Sequence, residues 1–320
     1  MISAQAITRR FGDRVAVEDV SFDVAGGEVF GLLGPNGAGK TTTLRMLGGL
    51  IAPSAGTIAI GGRPFTRANA GSLRARIGFL TETPGLWEHL TAEDNLRVYA
   101  RLFGIAPPDP AVERALRLFE LWDRRSDRVA VLSKGMKQKL ALARALVHDP
   151  EVVLLDEPSA NLDPQTARTV RDLLLELRRK GRAVVVSTHN LDEVERLADR
   201  VALVSRTLIA VGEPAALRRD VFGRRLRVRM AGAHPPLPQL AEIAARAGAQ
   251  DVRIDGVALS MTLDAPDTAT PAVIRALVEA GAEIREVFDE APALEDVYLK
   301  LLGSPTASEA DMSGTPGHPS

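Results

Sequence analysis

The sequence predicts an α/β core on a mostly parallel sheet, carrying an antiparallel β-layer and a helical insertion and followed by a small α+β domain. Three patterns carry that prediction. An apolar run, Glu28 to Leu33 (EVFGLL), enters a glycine-rich loop and then a helix-compatible segment, Thr43 to Leu50. Further unbroken apolar runs follow at Ile77 to Leu80, Glu151 to Asp156 and Ala183 to Ser187, separated by segments of helical period, as strands buried on both faces require. From Arg224 onward, alternating strands are interleaved with amphipathic helices.

Composition bounds the reading. At 320 residues and 45% hydrophobic content the chain is long for one domain, so two are expected. A net charge of −1 gives no global basic field, and nucleic acid is not expected as a partner. Cysteine is absent, which excludes disulfides and thiolate chemistry and is compatible with the cytosol. The opening MISAQAITRR has no apolar signal core, and no apolar run approaches the ~20 residues of a membrane helix, so any action at a membrane is expected to run through another polypeptide.

In chain order, residues 1 to 24 alternate apolar and polar around Gly12-Asp13 and read as antiparallel strands joined by a turn. Phe11, beside that turn, suits either stacking on a purine base or packing in a small β-layer. Gly61-Gly62 marks another hairpin. Glu82 lies just past the strand Ile77 to Leu80, where a carboxylate can serve a metal ion or remain a solvated loop charge. Residues of about 85 to 150 read as helices. Thr91 caps one, with Leu96, Tyr99, Leu102 and Phe103 expected on its buried face. Asp109-Pro110 opens the next, lined by Val112, Leu116, Phe119 and Trp122. In LSKGMKQ (132–138) Ser133 is placed to cap a third, and Gly135 leaves its first-turn N–H groups uncovered, open to an anion. Asp163 then caps a helix that has Pro164 at its first position, and Val201 to Val204 and Leu208 to Val211 close the core as a hairpin.

The chemistry concentrates at Gly34 to Thr42, GPNGAGKTT. Strand, glycine loop and helix in that order make a phosphate cradle, the arrangement of a P-loop NTPase. Gly34, Gly37 and Gly39 let the backbone turn its N–H groups inward; Pro35, Asn36 and Ala38 complete the loop. Lys40 puts a point charge on terminal phosphates, and Thr41 offers a hydroxyl to Mg²⁺. The apolar strand EVVLLD ends in adjacent acids: Asp156 suits the hydration shell of the metal, and Glu157 suits orienting or deprotonating a water molecule. His189 follows another buried strand. By itself it reads as a loop or capping residue, but strand ends of a parallel sheet gather at one edge, where the phosphate loop also lies.

Taken together, GPNGAGKTT, LSKGMKQ, VVLLDEP, SANLD and STH resemble the ATP-binding subunit of an ABC transporter across roughly residues 1 to 215. The segment ending ALEDVYLKLLG is similar to the C-terminal domain of ATPases of the ABC-2 exporter type, which includes drug and antibiotic efflux systems. The resemblance implies an ATPase core with antiparallel and helical subdomains, ATP and Mg²⁺ as cofactors, and a head-to-tail homodimer in which Ser133 and Gly135 face the ATP held by the other copy. It also implies an integral membrane permease as partner and a place on the inner face of the cell membrane. Phe11 would stack on adenine, Lys40, Thr41 and Thr42 would serve phosphates and Mg²⁺, and Asp156, Glu157, Asp163 and His189 match as they stand. Glu82 replaces a usual Gln, Lys134 a usual Gly and Met136 a usual Gln. Lys134 either adds charge near the partner's phosphate or points to solvent. A soluble ATP-dependent switch without a membrane partner is the alternative, less favoured because such relatives usually carry tandem nucleotide domains or a long coiled coil.

The second domain, 216 to 302, reads as βαββαβ: a strand from Arg224 to Met230, a helix from Pro238 to Ala247, strands around Asp255-Gly256, a helix from Pro271 to Ala280 and a strand from Glu283 to Phe288, with a last helix from Leu294 to Leu302. The arginines between Arg218 and Arg229 suit a solvated charged face or contact with lipid or a partner. Residues 303 to 320 are expected to be disordered.

Overall fold

Alternation of apolar and polar residues builds the opening hairpin. In the computed structural model, which describes residues 1–303 apart from 161, 233–234, 265 and 291, β1 (Ile2–Phe11) and β2 (Arg14–Val24) pair antiparallel with Phe11 opposite Arg14. β3 (Val29–Leu33) enters a different sheet and leads through the phosphate loop into α1 (Lys40–Leu47). β4 (Ala55–Ile60) and β5 (Arg63–Pro64) return to the first sheet, giving the order β2-β1-β4-β5. α2 (Ala70–Arg74) precedes β6 (Ile77–Leu80). The helical layer follows as α3 (Ala92–Leu102), α4 (Asp109–Leu118) and α5 (Lys134–Leu146). β7 (Val152–Asp156), α6 (Pro164–Arg179), β8 (Ala183–Thr188), α7 (Leu191–Glu195), β9 (Arg200–Ser205) and β10 (Thr207–Gly212) complete this unit.

The six-stranded sheet runs β10-β9-β3-β8-β7-β6, parallel except for β10. Its unbroken apolar strands serve two cores by their period of two. Val29, Val153, Leu155, Val184 and Val186 pack with the helical layer. Phe30, Leu32, Val152, Leu154 and Val185 pack on the other face with α1 and the antiparallel sheet. A polar substitution at any of these positions therefore opens one core and spares the other.

Capping sets the helix starts. Thr91 accepts from Asp94 N at 3.1 Å and Asp163 from Thr166 N at 2.9 Å, each worth roughly 1 kcal/mol. Three expectations are corrected. α1 begins at Lys40 rather than Thr43, because Gly39 ends the loop in a left-handed conformation (φ +96°) and the helix follows at once. Leu102 is 72% exposed: six residues beyond Leu96 is about one and two-thirds turns, which carries it off the buried face. α10 starts at Pro266, with Pro271 inside it, so the expected proline start is overridden by the packing of that helix.

The second compact unit begins at Pro214. It comprises α8 (Pro214–Phe222), β11 (Arg224–Met230), α9 (Leu237–Arg246), β12 (Gln250–Asp255), β13 (Ala258–Leu263), α10 (Pro266–Glu279), β14 (Ile284–Glu290) and α11 (Leu294–Gly303). The sheet order is β12-β13-β11-β14, antiparallel throughout. Leu226, Val228 and Met230 of β11 face a core shared with Leu240, Leu259, Met261 and Leu277. The intervening arginines are paired within the sheet: Arg227 with Glu290 at 2.9 Å and Arg229 with Glu286 at 2.9 Å. Gly303 ends α11, and the rest of the segment expected to be disordered lies outside the described residues.

Candidate functional site

The loop between β3 and α1 lies where backbone approaches leave no room for side chains. A Cβ on Gly34 would stand 2.3 Å from the Val204 carbonyl oxygen, and one on Gly39 would stand 2.5 Å from that of Ala16. These contacts seat the loop between β9 and β2. Residues 35 to 42 then line a cavity of about 320 Å³ together with Arg14, Ala16, Glu82 and Glu157. Loop and α1 N-terminus thus share one opening, an arrangement that favours bound negative charge.

Lys40 is 6% exposed and donates to the carbonyls of Gly34 at 2.6 Å and Pro35 at 3.2 Å. Burial pushes its ammonium below the ordinary lysine range, opposed by the carboxylates of Glu157, Asp156 and Glu82. A charged group held by carbonyls, and in no ion pair among the described residues, is ready for an anion of high charge density.

Two neighbouring strands bring the acids and the histidine together. β7 and β8 are in parallel register with Asp156 beside Ser187, and Ser187 Oγ donates to Asp156 Oδ1 at 2.5 Å. Asp156 is 2% exposed, so this bond fixes a buried carboxylate. The next residue, Glu157, donates its N–H to the Ser187 carbonyl at 3.0 Å and takes φ +50°, a strained value for a residue with a Cβ, costing of order 1–3 kcal/mol. That turn sends the Glu157 side chain to the cavity and to His189, whose Nδ1 lies 2.9 Å from Glu157 Oε1. The imidazole is the exposed partner and the carboxylate the enclosed one, 61% against 12% of the side chain.

Thr41 and Glu82 line the cavity, with Asp156 close enough to act electrostatically on Lys40. A hydroxyl with carboxylates is a hard oxygen set that fits Mg²⁺. Among the described residues no group of three or more His, Cys, Asp or Glu side chains forms a metal site alone. An ion here would draw its other ligands from phosphate and water, the usual habit of Mg²⁺.

Other expected site residues lie apart from this cavity. Phe11 is 47% exposed at the hairpin end and is not part of the lining; the Arg9 guanidinium stands 4.6 Å from its ring centroid. Ser133 caps α5, accepting from Met136 N at 3.2 Å. Gly135 lies against the start of α6, where a Cβ would meet Thr166 Oγ1 at 3.3 Å. Neither lines the cavity. Sequence reasoning missed Arg14 and Ala16 and gave Ser187 no role of its own although it opens the STH motif; for Arg14 the signal was its place across the turn from Phe11.

The family profile described as "ABC transporter" matches residues 17–160. The chain is 38% identical over 305 residues to the Nod factor export ATP-binding protein I of Burkholderia lata, covering 94% of this chain and 97% of that protein. It belongs to the ATP-binding subunits of ABC transporters. The protein of the same name from Bradyrhizobium diazoefficiens is 37% identical, with 94% and 96% covered. Among solved structures, an ABC transporter ATP-binding subunit superposes with a TM-score of 0.64 at 32% identity, covering 69% of this chain and 92% of that one. A dimeric ATP-binding cassette in a post-hydrolysis state, bound to ADP and Pi, gives 0.61 at 25% identity, with 67% and 98% covered. In this ABC subunit, among the described residues, no helix is long and apolar enough to cross a membrane.

Proposed function

We propose that this chain binds and hydrolyses ATP in the cavity at the N-terminus of α1 and that the cycle drives export through a separate ABC-2 type membrane permease. The observation that carries the reading is the Glu157–His189 contact at 2.9 Å, in which Glu157 lines the same cavity as Lys40 and His189 stands behind it, outside the lining. The loop N–H groups and Lys40 hold the polyphosphate, with Lys40 exchanging its carbonyl acceptors for terminal phosphate oxygens. Thr41 and Asp156, with Glu82 beside them, would hold Mg²⁺, which supplies charge neutralisation when bound. Glu157 Oε accepts a proton from the attacking water as its oxygen bonds to the γ-phosphorus and the bond to ADP breaks. His189, donating from Nδ1, keeps that carboxylate in place.

The export direction is supported by the names of the relatives, and dimerisation by the dimeric cassette neighbours. Ser133 and Gly135, outside the cavity lining of their own chain, suit contact with the nucleotide of a second copy. The permease would place the subunit on the inner face of the cell membrane. Glu157→Gln tests the chemistry: hydrolysis falls by ~10²-fold or more while ATP binding persists. Near-normal turnover would remove Glu157 from the mechanism, and failure to co-purify with any membrane protein would count against the permease.

A further inference from the structure

We propose that Arg14 is a second cationic contact for the nucleotide, engaging the polyphosphate at the end remote from Lys40. The inference rests on the ATP-binding reading of the cavity and assigns a residue that the loop motif does not contain. The charged side chains lining the cavity are Arg14, Lys40, Glu82 and Glu157. Without Arg14, a highly anionic ligand would meet one ammonium against two carboxylates, with Asp156 acting electrostatically on the same ammonium. Lys40 is buried and bonded to its own loop; Arg14 is exposed, and no hydrogen bond or ion pair holds its guanidinium among the described residues.

Strand geometry places it. β2 passes so close to the loop that a Cβ on Gly39 would lie 2.5 Å from the Ala16 carbonyl oxygen. Arg14 is two residues back on the same strand, across a register shift against β1 that falls at Ala16, and both residues line the cavity. Its cross-strand partner is Phe11. A nucleotide laid from the phosphate loop toward the hairpin end therefore runs along the strand that carries Arg14. The planar guanidinium fork suits bidentate contact with phosphate oxygens, and a lysine would supply the charge without the fork.

The test is nucleotide affinity of the full chain by isothermal titration, comparing wild type, Arg14→Ala, Arg14→Lys and Lys40→Ala with ATP and GTP. Arg14→Ala is expected to raise Kd by about tenfold or more for both nucleotides by the same factor, the effect of losing charged hydrogen bonds. Arg14→Lys should restore part of the loss, and the apo melting temperature should not move. Unchanged ATP affinity in Arg14→Ala overturns the proposal, as does a loss confined to ATP, which would make Arg14 a base contact. If Lys40→Ala binds ATP like wild type, the cavity reading itself fails and Arg14 falls with it; if Lys40→Ala loses binding and Arg14→Ala does not, only this inference fails.

Discussion

Gln138 Nε2 donates to the Pro158 carbonyl oxygen at 2.8 Å, and Gln138 is 7% exposed. The bond ties α5, the helix capped by Ser133, to the residue immediately after Glu157. Gln138→Leu keeps the bulk and removes the donor. Leaving a buried carbonyl unsatisfied is expected to cost about 1–3 kcal/mol, read as a lower melting temperature. Hydrolysis should fall with ATP affinity retained. Loss of stability at unchanged turnover would confine the bond to a structural role.

His148 gives the first unit a defined acid sensitivity. Its ring stacks on Phe103 with centroids 3.7 Å apart, and Nε2 faces the Ile77 carbonyl at 3.2 Å. Burial lowers its pKa from the ordinary 6.5, against the opposing pull of that carbonyl and of Asp149. Below 6.5 the unfolded chain therefore takes up a proton that the folded chain still refuses. The stability contribution is complete above 6.5 and is lost as pH falls toward the folded value. His148→Phe retains the stack and removes the titration. Melting temperatures at about pH 7.5 and pH 5 should differ less in the variant than in wild type. Equal differences would show that other groups carry the acid response.

Glu82 lines the cavity with Thr41. A carboxylate binds a hard cation more strongly than an amide does, so hydrolysis by wild type and Glu82→Gln is expected to differ in its dependence on Mg²⁺ and Mn²⁺. Identical profiles would return Glu82 to a solvated loop charge.

Ser133 and Lys40 belong to different halves of a composite site if two copies pair head to tail. Ser133→Arg alone is expected to lose most of its activity. Mixing it with Lys40→Ala should return part of it, since one site of the mixed dimer joins an intact loop to an intact α5 start. Wild-type activity of Ser133→Arg would remove α5 from the mechanism.

The unbroken strands and the glycine loop were legible because their signals are local. Four or five apolar residues in a row exclude a solvent-facing strand, and GPNGAGKTT needs only its own backbone to bend into a cradle. Leu102 was misplaced because an apolar residue near a helix end satisfies a pattern without meeting a core. The start of α10 was misplaced because Pro271 reads as a first-turn residue until the rest of the helix packs.

What the sequence by itself determined is which groups this protein has for chemistry: the loop with Lys40 and Thr41, the acid pair after β7, and a histidine after β8. What only the tertiary structure decided is how they meet. Asp156 is held by Ser187 and Glu157 reaches His189 because β7 and β8 pair in parallel register, a contact between residues 31 and 32 positions apart. Arg14 reaches the cavity, and Phe11 stays out of its lining, because β2 runs beside Gly39. Strand register and backbone approach are set by the packing of both cores at once, and no local stretch of residues encodes them.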